Sequence, residues 1–143
     1  MKEVVNLFLE EFKQWATSQD NIKAVALVGS YAKGTAKPDS DIDLVIITND
    51  PKSLLEDVQW LQNFGQIKEI KNEDWGLVQS KRVFYESGLE IEFGIATPEW
   101  AKTDPTDPGT KRVISDGAKI LYDKNGILQS LLSTLPPSSS KPI

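Results

Sequence analysis

The chain contains no cysteine and no histidine. Histidine-based triads, thiol nucleophiles and Cys/His zinc sites are therefore all excluded. Oxygen is the main ligand type left for a metal, which suits Mg²⁺ or Mn²⁺ rather than Zn²⁺ or copper. The lack of any disulfide fits a reducing compartment. No apolar run approaches the length that spans a bilayer, and the opening MKEVVNLFLEEFKQW lacks the basic-then-apolar order of a signal peptide. The sequence reads as a cytoplasmic protein with no membrane partner. Positive charge is also scarce. The net charge of −5 argues against a broad nucleic-acid face, because such binding draws mainly on Lys and Arg. Lys81-Arg82 and Lys111-Arg112 are the only adjacent basic pairs. They read first as solvated charge and second as candidates for touching a triphosphate.

What is present concentrates in residues 24–46, AVALVGSYAKGTAKPDSDIDLVI. A strand-like run ends at Gly29-Ser30, and a second apolar run carries Asp41 and Asp43. Gly29 removes the side chain where backbone must come close to a ligand. A following turn of helix through Tyr31, Ala32 and Lys33 would aim backbone N–H groups at an anion, with the Ser30 hydroxyl as a further donor and Lys33 as a possible phosphate contact. In the second run side chains alternate, so Asp41 and Asp43 share one face and Ile42, Leu44 and Ile46 the other. Two carboxylates on one face invite a divalent cation.

Around this segment the pattern is mixed. Val5, Phe8, Phe12 and Trp15 recur at helical spacing, which predicts a helix over Lys2–Gln19 with that stripe in the core. Strands are expected at Lys23–Val28 and Asp41–Thr48. Pro51, capped by Asp50, starts a helix expected to reach Asn63. Gln66–Ala96 reads as two or three antiparallel strands with a turn at Ser87-Gly88. A short helix over Thr110–Ser115, an edge strand at Lys119–Tyr122 and a last helix over Ile127–Leu135 complete the chain. Asp123-Lys-Asn-Gly126 lacks the spacing of a calcium loop and reads as a turn. One domain, 1–135, is expected, with 136–143 too poor in apolar residues to be ordered.

Glu90 and Glu92 alternate with apolar neighbours, so both can face the Asp pair. Glu92, flanked by Ile91 and Phe93 as Asp43 is by Ile42 and Leu44, is the preferred third acid. Carboxylates ~4 Å apart repel by about 4 kcal/mol per pair at an effective dielectric near 20, a cost that a bound cation turns into ligand strength. Trp75 and Trp100 are candidates for stacking on a base, with core or rim packing the commoner role.

GSYAKGTAKPDSDIDLVI resembles the signature of the polymerase-β-type nucleotidyltransferase superfamily, Gly-Ser followed at fixed distance by Asp-x-Asp. The spacing is similar to that of small single-domain bacterial members, both the minimal type and the aminoglycoside and lincosamide enzymes. LEIEFGIATPEW and DGAKILYDKNG extend a looser likeness. The resemblance implies an α/β (α+β) fold, a mixed β-sheet flanked by helices. It puts Gly29-Ser30 on the triphosphate and Asp41, Asp43 and Glu92 on two Mg²⁺ ions, although the family usually shows Asp at the third position. The implied reaction moves a nucleoside monophosphate, most simply AMP from ATP, to a hydroxyl of a small molecule or a protein. The alternative is a catalytically weak nucleotide- or partner-binding module, such as an antitoxin-like protein masking a helical toxin partner.

Overall fold

A computed structural model describes residues 3–134. The expected tail at 136–143 lies outside the described residues. Helix α1 (Glu3–Thr17) leads into β1 (Ile22–Val28), the short α2 (Ser30–Lys33), β2 (Ile42–Thr48) and α3 (Pro51–Glu56). A 3₁₀ segment (Gln59–Phe64) precedes β3 (Ile67–Asp74), β4 (Gln79–Tyr85) and β5 (Glu90–Ala96). Another at Pro98–Ala101 precedes α4 (Pro108–Asp116), β6 (Ala118–Asp123) and α5 (Ile127–Thr134).

The six strands form one mixed sheet in the order β3-β4-β5-β2-β1-β6. β2 and β5 run parallel, and every other neighbouring pair is antiparallel. Strand alternation gives the sheet two apolar faces. One carries Val25, Leu27, Leu44, Ile46, Ile91, Phe93 and Ile95 and is covered by the Val5, Phe8 and Phe12 stripe of α1. Phe12 is fully buried and sits 5.7 Å from the Phe93 ring and 5.3 Å from that of Phe64. The other carries Ala24, Ala26, Val45, Ile47 and Ala96 beneath Trp100, Ile114, Leu128 and Leu131. That second layer of α4 and α5 covers only part of its face, leaving the start of β2 and β5 uncapped by helix.

Local signals account for most boundaries. Asp50 accepts from Ser53 N at the start of α3, and Asp107 caps α4 by accepting from Gly109 N and Thr110 N. Asp123 ends β6 and accepts from Leu128 N and Gln129 N, so its side chain starts α5. The helix expected to reach Asn63 is instead split. The Trp60 indole N–H donates to Leu54 O, the acceptor a continuing helix would need, while Asp57 accepts from Gln59 N and opens the 3₁₀ segment. β2 begins at Ile42, so Asp41 sits just before the strand rather than as its first residue.

Phe12→Ala removes a fully buried ring from the contact between α1 and the sheet. It is expected to lower unfolding free energy by about 3–5 kcal/mol, measured by urea denaturation.

Candidate active site

The acids meet because of strand register. Asp43 on β2 lies beside Glu92 on β5, and Glu92 lies opposite Arg82 on β4. Asp43 also pairs with Val28, the last residue of β1, which brings the Gly29 turn next to it. The four elements β1, β2, β5 and β4 thus set the Gly29 turn, two carboxylates and a guanidinium in one row across the sheet.

Asp41, Asp43 and Glu92 each offer an oxygen within 4.8 Å of the others. Glu90 shares their face but joins them only through Arg82. That guanidinium donates to Asp41 Oδ2 at 2.7 Å, Glu92 Oε1 at 2.6 Å and Glu90 Oε2 at 2.8 Å, and pairs with Glu73 at 3.2 Å. One cation therefore serves four carboxylates. Burial works against its charge, but the hydrogen bonds to Glu73, Asp41 and Glu90 and the negative charge of Glu92 hold its pKa above the ordinary value. Burial pushes the Asp43 carboxyl from 3.8 up to about 8, helped by its hydrogen bond with Asp41 and the charges of Asp41 and Glu92, against the pull of Arg82. Oxygen donors that converge and repel in this way fit a hard divalent cation.

Gly29 adopts φ 74° as the residue before α2, a backbone region costly for L side chains. A Cβ there would also run into the Asp43 carboxylate. The glycine thus lets the turn lie directly against the acid. Ser30 opens α2, and its carbonyl accepts from Gly34 N and Thr35 N. Lys33 has its ammonium 3.2 Å from Asp116 Oδ1, a carboxylate on the lining of the cavity beside the acids. Lys81 donates to Asn72 Oδ1. Trp75 is 61% exposed, and its indole N–H donates to Glu92 Oε2 at 3.0 Å. Trp100 is buried.

A cavity of about 420 Å³ opens from Gly29, Asp43 and Glu92 along the uncapped part of the face, toward Ser80, Gly94 and Trp100, with Arg112 of α4 on its lining. Arg82 among the acids and Ser80 on the cavity lining have places that the sequence pattern alone does not give. Arg82, which with Lys81 reads as solvated charge or a triphosphate contact, binds the acids; the register that sets Phe84 opposite Glu90 places it opposite Glu92, one residue off a symmetric count from the Ser87-Gly88 turn. Ser80 has no distinguishing sequence signal beyond lying two residues earlier on the same face.

Residues 5–97 match the sequence model of the nucleotidyltransferase domain. Mixed sheet, Gly-Ser turn and converging acids describe a nucleotidyl-transferring class of protein, and the match spans well over half of the chain. The chain belongs to the nucleotidyltransferase domain family and is a transferase. A protein of Methanocaldococcus jannaschii provisionally named a protein adenylyltransferase is 26% identical over 139 residues, covering 95% of this chain and 84% of its own. An aminoglycoside 6-adenyltransferase from Bacillus subtilis superposes with a TM-score of 0.56 at 18% identity over 71% of this chain. This chain spans only 37% of that enzyme, so the likeness is one of fold. A toxin–antitoxin structure with AMP-PNP covers 87% of this chain and 85% of its own at 14% identity, but its TM-score of 0.44 supports no comparison of function. Among the described residues, no helix is long and apolar enough to cross a membrane.

Two outcomes follow from the charge balance. Arg82→Gln leaves four carboxylates without their shared cation and should lower stability at pH 8 by about 3 kcal/mol. Urea denaturation should then show millimolar Mg²⁺ restoring more stability to this variant than to the wild type. For Asp43, a folded-state pKa raised above the unfolded one means that the folded protein holds the extra proton between about pH 4 and pH 8. Metal-free stability contributed by this group is present below that window and is lost as pH rises through it. Asp43→Asn should remove the slope, with the variant exceeding the wild type by about 2 kcal/mol at pH 8 and by little at pH 4, read from melts across the range.

Proposed function

We propose that residues 1–135 act as one nucleotidyltransferase domain that moves a nucleoside monophosphate, AMP from ATP, to a hydroxyl acceptor. The observation that carries this reading is the convergence of Asp41, Asp43 and Glu92 beside the Gly29 turn. A histidine-free, cysteine-free chain acting on ATP suits the cytoplasm, where the nucleotide and Mg²⁺ are abundant.

The reaction is a displacement at the α-phosphorus. An acceptor oxygen forms a bond to that phosphorus, the bond to the bridging oxygen breaks, and pyrophosphate leaves with the electron pair. Asp41, Asp43 and Glu92 would hold a first Mg²⁺ and the Asp pair a second, supplying Lewis-acid stabilisation of charge on the phosphoryl oxygens. The backbone of the Gly29-Ser30 turn binds the β- and γ-phosphates and fixes them for in-line attack, a contribution of positioning and electrostatics. Arg112, on the cavity lining, offers a cation to the same end of the nucleotide. Lys33, paired with Asp116 on the cavity lining, is a further cation within the site's surroundings for the phosphates.

The three acids are all occupied. Glu92 already accepts from Arg82 on one oxygen and Trp75 on the other, so it orients. With Asp41 and Asp43 given to the metal ions, the acceptor's proton passes to solvent water at the open, acidic end of the site. The acceptor itself is a hydroxyl on a protein or a small molecule. Similarity over nearly the whole chain to the Methanocaldococcus jannaschii protein, provisionally named a protein adenylyltransferase, favours the protein acceptor.

The test measures thermal unfolding with each nucleoside triphosphate and Mg²⁺, then incorporation of labelled AMP and release of pyrophosphate. ATP at about 100 times its dissociation constant should stabilise the wild type by about 2.7 kcal/mol. Asp41→Asn and Asp43→Asn should each fold and lower transfer at least a hundredfold, about 2.7 kcal/mol of barrier. Retained turnover in either variant would sink the mechanism.

A further inference from the structure

The far end of the cavity has an unpaired polar group. Ser80 is 2% exposed, and its Oγ has no hydrogen-bond partner in the structure. A hydroxyl left so is costly unless something completes it, and Ser80 lines the cavity. Its position is fixed by register. Ser80 lies opposite Gly94, and Gly94 lies beside Val45, one step along the face from the row Arg82, Glu92, Asp43.

The walls around it are apolar. Val45, Val78 and Trp100 line the space with Gly94. A Cβ at Gly94 would meet Val78 Cγ1 at 2.8 Å and Leu44 O at 2.9 Å, so glycine lets Val78 close over the strand. The β3–β4 turn is tied by a hydrogen bond from Trp75 N to Val78 O. It holds Trp75 and Leu77 at the cavity rim, and both are exposed large apolar side chains. An apolar slot with exposed aromatic surface at its mouth and one buried hydroxyl on its floor suits a flat ring with a hydrogen-bonding edge.

Distance decides which ring. The phosphate turn ends β1, the acids stand on β2 and β5, and Ser80 stands on β4, in adjacent order. Three strand spacings of about 4.8 Å span ~14 Å, comparable with an extended nucleoside triphosphate. We infer that this end of the cavity takes the base of the donor nucleotide, with Ser80 Oγ hydrogen-bonded to the base edge and making Ser80 a specificity-determining residue. The inference rests on the nucleotidyltransferase reading and adds to it the location of base selection.

Calorimetric titration of wild type and Ser80→Ala with ATP, GTP, CTP, UTP and inorganic tripolyphosphate, each with Mg²⁺ and without acceptor, tests it. The expected result is a five- to tenfold weaker affinity of the variant for the preferred triphosphate, about the net effect of one neutral hydrogen bond. Preference among bases should flatten and tripolyphosphate binding should stay the same. The metal-free variant should melt no lower than the wild type, since it loses an unpaired buried hydroxyl. Unchanged affinity for all four nucleotides would overturn the inference and assign any ring in the slot to the acceptor. An equal loss for tripolyphosphate would also overturn it, by making Ser80 a phosphate or folding residue. Failure of the wild type to bind any triphosphate would instead remove the nucleotidyltransferase reading, and this inference with it.

Discussion

Like-charge repulsion on one sheet face, offset by Arg82, is the constraint around which this structure is arranged. Three carboxylates with oxygens inside 4.8 Å would push apart if carried on loops. Here two strands in parallel register hold Asp43 beside Glu92, and a third supplies the guanidinium that binds both Asp41 and Glu92. The backbone ladder resists the repulsion and the cation reduces it. Neither suffices alone, because a rigid sheet does not neutralise charge and a long arginine side chain on a loop would lose entropy to hold four partners.

Placing the cation on β4 has structural consequences. β4 lies between β5 and the edge strand β3, and Glu73 from β3 is the guanidinium's remaining partner. The β3–β4 turn then sits over the face, where Trp75 reaches back to Glu92. A single arginine thus ties both strands of the hairpin to the third acid. The opposite face of the same strands carries Val83, Ile91 and Phe93 in the main core. Packing there sets the rotational position of each strand and hence where the polar side chains point.

Much of this was legible in the sequence because local patterns agreed with the tertiary outcome. The Val5, Phe8 and Phe12 stripe faces the sheet, and the alternation around Asp41, Asp43, Glu90 and Glu92 puts all four on one side. Gly29, expected where backbone must come close, does lie in a tight approach, against the Asp43 carboxylate. Reading failed where a side chain competes with the backbone. Nothing in the run from Pro51 to Asn63 announces that Trp60 will take the Leu54 carbonyl and split the helix. It also failed where function depends on pairing across strands. Arg82 carries no motif of its own, and its importance appears only when the hairpin register brings it opposite Glu92. The pairing of Lys33 with Asp116 depends on α4, far away in sequence, and local spacing holds no information about it.

The uneven covering of the polar face gives the site its shape. α4 and α5 pack over Ala24, Ala26, Val45 and Ile47, small or branched residues that let helices approach closely, and they stop short of the row that holds the acids. Extending the helical layer would bury Asp43 and Glu92 further and raise the cost of their charges steeply. Leaving the whole face bare would expose the apolar row at Val45 and Ala96. The observed compromise closes the apolar half and opens the acidic half. Its boundary runs through Ser80 and Gly94, where the sheet changes from charged to apolar within one step. A ligand with an anionic end and a flat, weakly polar end is the chemistry that such a boundary complements.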